Sequence, residues 1–198
     1  MEKKSDIILF AEESFARAVT LGTVVKRPLS VWHYLIPGIF ILDFLRRTSE
    51  IKSYTKHFLF PRKLAIDAAR DLNDGEDRKS RLSPVENEIS EWLKSLKLYS
   101  SALHQAKMEE ANVLIDHYSK LLNADGDSYN SLVRNAHKSR ENYEAHLCQL
   151  AEAEKEVDRA VVEKLGGTGN IRERLAAKQA HLEELRKRKV DEIFTGTA

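Results

Sequence analysis

The chain has 198 residues, and its 32 basic and 31 acidic side chains leave a formal net charge of +1, which excludes a protein that binds polyanions through bulk charge. Nearly a third of the residues are ionic and there are only 8 glycines and 4 prolines, a composition of long solvent-exposed helices rather than of a β-sandwich or an α/β enzyme. Cys148 is the single cysteine, which excludes an intrachain disulfide or a cysteine cluster for zinc and fits a reducing, cytoplasmic setting.

The opening stretch MEKKSDIILFAEESF places acids directly after its first apolar run and lacks a small-residue cleavage site, so it reads as structure rather than as a signal peptide. Residues 7–25 are apolar except for a narrow stripe through Glu12, Glu13 and Arg17, which predicts a helix capped at Ser5 or Asp6.

The next tract, KRPLSVWHYLIPGIFILDFLRR, covers residues 26–47. A helix needs about 20 apolar residues to cross a bilayer, and the run from Leu29 to Leu45 falls short of this with His33 and Asp43 inside it. Lys26 and Arg27 precede the run, and Arg46 and Arg47 follow it. Cations at both ends oppose the positive-inside bias of a spanning helix, so both ends are expected on one side. Pro37 removes a helix donor and Gly38 permits a sharp change of direction, so residues 28–45 are expected to dip into the membrane interface and return. Trp32, Tyr34 and Ile36 would insert before the bend; Ile39, Phe40, Ile41, Phe44 and Leu45 would insert after it. Lys26, Arg27, Arg46 and Arg47 would meet anionic headgroups. The competing reading buries 28–45 in a protein core against the helix 7–25, making a soluble helical interaction module, as a monomer or a homodimer. The membrane reading is favoured because a thin helical bundle has no broad core for so much apolar surface.

Thr48 or Ser49 is expected to cap a further helix, and Pro61 to open a short one, PRKLAIDAARDL, with contacts at Leu64, Ile66 and Ala68. The polar stretch 73–82 reads as a linker between an apolar, basic N-terminal region, 1–72, and a charged helical region, 83–195. Ser83-Pro84-Val85-Glu86 combines an N-cap serine, a proline suited to a first helical position and a capping-box glutamate, so a helix is predicted to start there. Ile89, Trp92, Leu96, Tyr99, Leu103 and Ala106 continue at three- and four-residue steps; the stripe skips Glu110 and runs to about Asn123. NADGDS supplies a turn at Ala124 to Asp127. A second periodic run passes through Leu132, Tyr143, Leu150 and Val161 to LGGTGN. A third, from Ile171 to Ile193 with Asn170 as cap, folds back along the second. The expected fold is all-α: an elongated antiparallel coiled-coil hairpin with a third packed helix, plus the apolar N-terminal helical segment.

No stretch carries a catalytic or cofactor signature, and no cofactor or metal is expected; His33 and Asp43 are the only pair attractive for catalysis. Folding the hairpin near residue 125 brings His117 within a turn or two of His137, with Glu110, Asp116 and Glu141 nearby. A bundle metal site needs a Glu-x-x-His pair on each of two helices, and neither MEEANVLIDHY nor SRENYEAHL contains one. These histidines are therefore expected to be solvated or hydrogen-bonded between helices. In NADGDS the glycine comes too early for a calcium loop and the closing glutamate is missing. KLGGTGN follows a helix and lacks the lysine-serine/threonine ending of a phosphate loop. Cys148 reads as a packing residue. Arg186 to Lys189 form a basic cluster, but Glu183, Glu184, Asp191 and Glu192 bracket it, so a solvated face is expected and no nucleic-acid partner. The function expected is that of a non-enzymatic, membrane-associated scaffold or adaptor on the cytoplasmic face, with a protein partner or a second copy on the coiled coil.

Overall fold

The computed structural model describes the backbone of residues 2–24, 37–166 and 169–195, and the side chains of 2–21, 52–166 and 171–195. Among the described residues the protein is all-α, with no strand. Its helices are α1 (Glu2–Val24), α2 (Pro37–Asn73), α3 (Arg78–Ser95), α4 (Ser101–Asn123), α5 (Tyr129–His137), α6 (Arg140–Lys164) and α7 (Gly169–Thr195).

The bundle is organised around α4. Leu103, Leu114, Ile115, Tyr118, Leu121 and Leu122 are all fully buried, and they cover too wide an arc of the helix for one neighbour to shield. α4 accordingly packs against α1, α2, α3, α5 and α6. Ile8 of α1, Ala65 of α2, Ile89 of α3, Leu132 of α5 and Val190 of α7 join it in one apolar core.

Specific pairs fix the helix directions. α1 and α2 run antiparallel: Thr20 meets Thr55 at 3.2 Å, the Phe15 and Phe58 rings lie 6.2 Å apart, and Glu12 meets Arg62 at 3.0 Å. α3 returns along α2, bringing Trp92 onto Phe60 with ring centres 5.0 Å apart, and α4 then runs parallel to α2, so that Asn73 and Asn123 bond at their C-terminal ends at 3.1 Å. α6 lies antiparallel to α4, and α7 antiparallel to α6, with Asp158 bonded to Lys178 and Glu154 to Arg186.

The turns rest on backbone capping. At the end of α2, Gly75 takes φ +97°, a left-handed conformation open to glycine, while its N–H donates to Leu72 O and that of Glu76 to Asp71 O. Lys4 of α1 donates its ammonium to the carbonyls of Leu122 at 3.2 Å and Ala124 at 2.7 Å, satisfying acceptors at the negative end of α4.

Several predicted boundaries move. Pro37 and Gly38, expected at a bend, are the first two residues of α2, where a proline's missing donor is not needed. α2 then continues through Thr48, Ser49 and Pro61. Arg62 helps at the proline by donating Nη1 to the Phe58 carbonyl at 3.2 Å, within the turn that Pro61 loosens. α3 begins within the expected linker, because Asp77 accepts the Ser80 N–H at 3.1 Å and caps it six residues before Ser83. The run from 83 to 123 is two helices. Lys97 adopts φ +58°, Leu98 N–H bonds to Leu93 O at 2.9 Å, and Ser100 caps α4 through the Leu103 N–H at 3.2 Å. The second run divides likewise at Lys138, φ +65°, after which Ser139 caps α6. The turn expected at Ala124 to Asp127 does separate α4 from α5, and Ser128 closes it with a capping box.

The two left-handed lysines give a direct test. In a continuous helix, glycine at Lys97 or Lys138 would cost about 1 kcal/mol. At these exposed left-handed positions, Lys97→Gly and Lys138→Gly should each instead stabilise the protein by up to about 1 kcal/mol, read from urea unfolding midpoints.

Candidate functional site

Four helices meet at a chain of alternating charges. Glu12 of α1 accepts from Arg62 Nε of α2 at 3.0 Å, and Arg62 Nη2 reaches Glu154 of α6 at 3.2 Å. Glu154 also accepts from Arg186 Nη2 of α7 at 2.8 Å. Arg62 is 3 % exposed, and its guanidinium carbon lies 3.8 Å from the Phe58 ring centre. Burial opposes this charge, but Glu12, with Tyr118 and Glu154, outweighs burial and raises the pKa above the usual arginine value. Burial likewise works against ionised Glu154, and Arg186 with Arg62 holds its pKa below the ordinary carboxylate value.

Beside this network lies a cavity of about 950 Å³. It exists because α1 and α6 do not pack on each other among the described residues. α1 is apolar around much of its circumference. Ile8, Ala16 and Val19 are buried in the core, while a second stripe of Ile7, Ala11, Phe15 and Ala18 faces the cavity. Leu147, Leu150 and Leu185 form the opposite wall. Phe10, at the mouth, is 72 % exposed.

One side of the cavity is built from rings that burial keeps neutral. His117 and His137 share a hydrogen bond of 3.1 Å between Nδ1 and Nε2, and the His117 and His146 rings stack 4.1 Å apart. Burial pushes His117 well below the usual histidine value, with His146 and His137 adding to the effect. Burial also lowers His137 to about 4 and His146 to about 3. Tyr129 and Tyr143 line the same side, and burial raises Tyr143 to about 12. A neutral imidazole or phenol can donate or accept one hydrogen bond in an otherwise apolar site. Among the described residues no group of three or more His, Cys, Asp or Glu side chains is arranged to hold a metal ion.

Of the residues singled out in the sequence, Lys26, Arg27, Trp32, His33, Tyr34 and Ile36 lie outside the described residues. The backbone of Pro37, Gly38, Ile39, Phe40, Ile41, Asp43, Phe44, Leu45, Arg46 and Arg47 belongs to the first turns of α2, and their side chains lie outside the described set. The turn after α4 does bring His117 onto His137. Two expectations are corrected. Cys148 is exposed, because Tyr143, Leu147 and Leu150 take the inward positions of α6 and Cys148 lies off that stripe. Arg186, expected on a solvated face, is only 11 % exposed because Glu154 draws it inward. The charge network was missed in the sequence, since Glu12 and Arg62 are fifty residues apart. No protein-family model, curated protein or solved structure matches the chain.

Removing one member of the network leaves buried carboxylates without their counter-charge. Arg62→Leu should cost about 3–5 kcal/mol in urea unfolding. Adding Glu12→Gln and Glu154→Gln should recover part of that loss.

The histidines predict a pH dependence. Their folded pKa values lie below 6.5, so the unfolded chain binds more protons below pH 6.5, and stability must fall as pH drops toward 4. Each contributes a slope of up to about 1.4 kcal/mol per pH unit. Thermal melts between pH 6.5 and 4.5 should show the loss, and His146→Phe, which keeps the stack, should flatten it.

Proposed function

We propose that the protein is a non-enzymatic, membrane-associated helical scaffold that docks on an anionic surface at the cytoplasmic face through residues 28–47 and offers its bundle to a protein partner. The supporting observation is a register. With Thr20 opposite Thr55 and Glu12 opposite Arg62, the last described residue of α1, Val24, falls level with about residue 51 of α2. Residues 37–50 of α2, which read PGIFILDFLRRTSE, therefore continue beyond that level for about 21 Å at 1.5 Å per residue. Trp92 near the end of α3 meets His57 and Phe60, so α3 stops short of this extension.

An apolar helical extension carrying Arg46 and Arg47 suits shallow insertion with headgroup contact. Among the described residues no helix is long and apolar enough to cross a membrane, which is compatible with a peripheral mode. In this reading a protein partner or a second copy docks on the outer faces of the bundle, since α4 itself is enclosed by its neighbours.

Co-sedimentation with vesicles containing anionic lipid at low salt tests the proposal. The intact chain should be retained, Arg46→Glu with Arg47→Glu should weaken retention, and Phe40→Asp should abolish it with the helical circular dichroism preserved. Collapse of the helical signal in Phe40→Asp would instead make 28–45 a buried core segment.

A further inference from the structure

The cavity between α1, α6 and α7 has a chemistry that the membrane reading does not use. Its lining residues on α1 run from Lys3 to Ala18, about 22 Å of helix, so it is an elongated slot rather than a round pocket. Its volume of about 950 Å³ is at the upper end of the range for small-molecule sites. Its two long walls are apolar, which selects an extended hydrocarbon.

The polar groups select the other end of the ligand. Among the described residues Arg186 makes one hydrogen bond, from Nη2 to Glu154, although its guanidinium carries five N–H donors and its side chain is 11 % exposed. Arg186 lines the cavity, so its remaining donors have space for an acceptor there. Arg62, by contrast, already uses Nε, Nη1 and Nη2 on Glu12, Phe58 and Glu154.

The ionic side chains of the cavity balance one another. Lys3, Arg62, Arg186, Arg188 and Lys189 line the cavity. Asp6, Glu12 and Glu192 line it as well, Glu154 adjoins it through both arginines and Glu184 pairs with Arg188, so five cations meet five carboxylates and an anion has to be held by unused donors rather than by excess charge. The lining histidines, His117 and His146, add no positive charge at neutral pH. A carboxylate could take the donors that Arg186 leaves unused.

We propose that the slot between α1, α6 and α7 binds an unbranched aliphatic monocarboxylate, with its carboxylate on Arg186 and its chain between the Ile7–Phe15 stripe of α1 and the leucines of α6 and α7. The site does not depend on residues 28–47, so it stands or falls separately from membrane docking.

Calorimetric titration of the full chain with decanoate, well below micelle formation, provides the test, with decan-1-ol as the neutral comparison. Decanoate should bind one to one, and the alcohol at least about tenfold more weakly, since it cannot use the guanidinium fork. Arg186→Lys keeps a cation beside Glu154 but loses the fork, and should weaken decanoate binding about tenfold. Ala11→Trp fills the slot from the half-exposed face of α1 and should abolish binding, whereas Phe40→Asp should leave it unchanged. Should Arg186→Lys lower the melting temperature, the alcohol comparison and Ala11→Trp decide alone. Absence of decanoate binding, equal binding of the alcohol, or undiminished binding by Ala11→Trp would each overturn the assignment.

Discussion

The guanidinium of Arg62 is the constraint on which the arrangement of the helices depends. A buried charge is tolerable only where its counter-charges and hydrogen-bond acceptors are in place, and Arg62 finds Glu12, Glu154 and the Phe58 carbonyl on three helices. Arg186 completes the set from a fourth. An apolar replacement of similar volume could pack as tightly, so the net contribution of such a network to stability is small even though removing one member is costly. Its more definite consequence is geometric. With α1 tied to α2 at Glu12, and Arg62 reaching across to Glu154, α1 is held against the core on one side and away from α6 on the other. The cavity is the space that this leaves.

The same geometry gives the two ends of the molecule different characters. Toward the C-terminal ends of α2 and α4 the helices are closely capped, by Gly75, by Lys4 on the α4 carbonyls and by the Ser128 capping box. Toward the other end, among the described residues, α3 stops while α2 continues for residues 37–50. A scaffold that uses this extension for an anionic surface would keep its slot on the side of the bundle, lined by α1, α6 and α7, free for a small ligand. The two proposals are therefore spatially compatible, and neither requires the other.

Helix content was legible in the sequence because three- and four-residue spacing of apolar side chains persists over many turns, as in the stretch from Leu103 to Leu122. Continuity was not. Leu96 and Tyr99 keep the periodic spacing across the break at Lys97, so the pattern reads straight through a left-handed residue whose only local mark is the serine pair at the start of α4. Pro61 and Pro84 misled in the opposite direction: each suits a helix start, yet each lies inside a helix whose N-terminal cap lies upstream or, for α2, whose first residue is Pro37. Glu110, a gap in the apolar stripe, is buried all the same and bonded to Lys107 at 2.7 Å. Part of the cavity was legible too. The stripe of Glu12, Glu13 and Arg17 is too narrow for a helix with one buried face, and the surplus apolar arc of α1 lines the cavity. The pairing of Glu12, Arg62, Glu154 and Arg186 depends on the tertiary fold and has no periodic signature.

Native-state hydrogen exchange most directly tests the claim that Arg62 ties α1 and α2 to the α4 core. The amides of Ile8 to Val19 should exchange as slowly as those of Leu114 to Leu121, because opening α1 separately would strand Glu12 and Arg62. In Arg62→Leu the protection of α1 should fall further than that of α4. Fast, independent exchange of α1 in the unaltered chain, with α4 fully protected, would contradict the account.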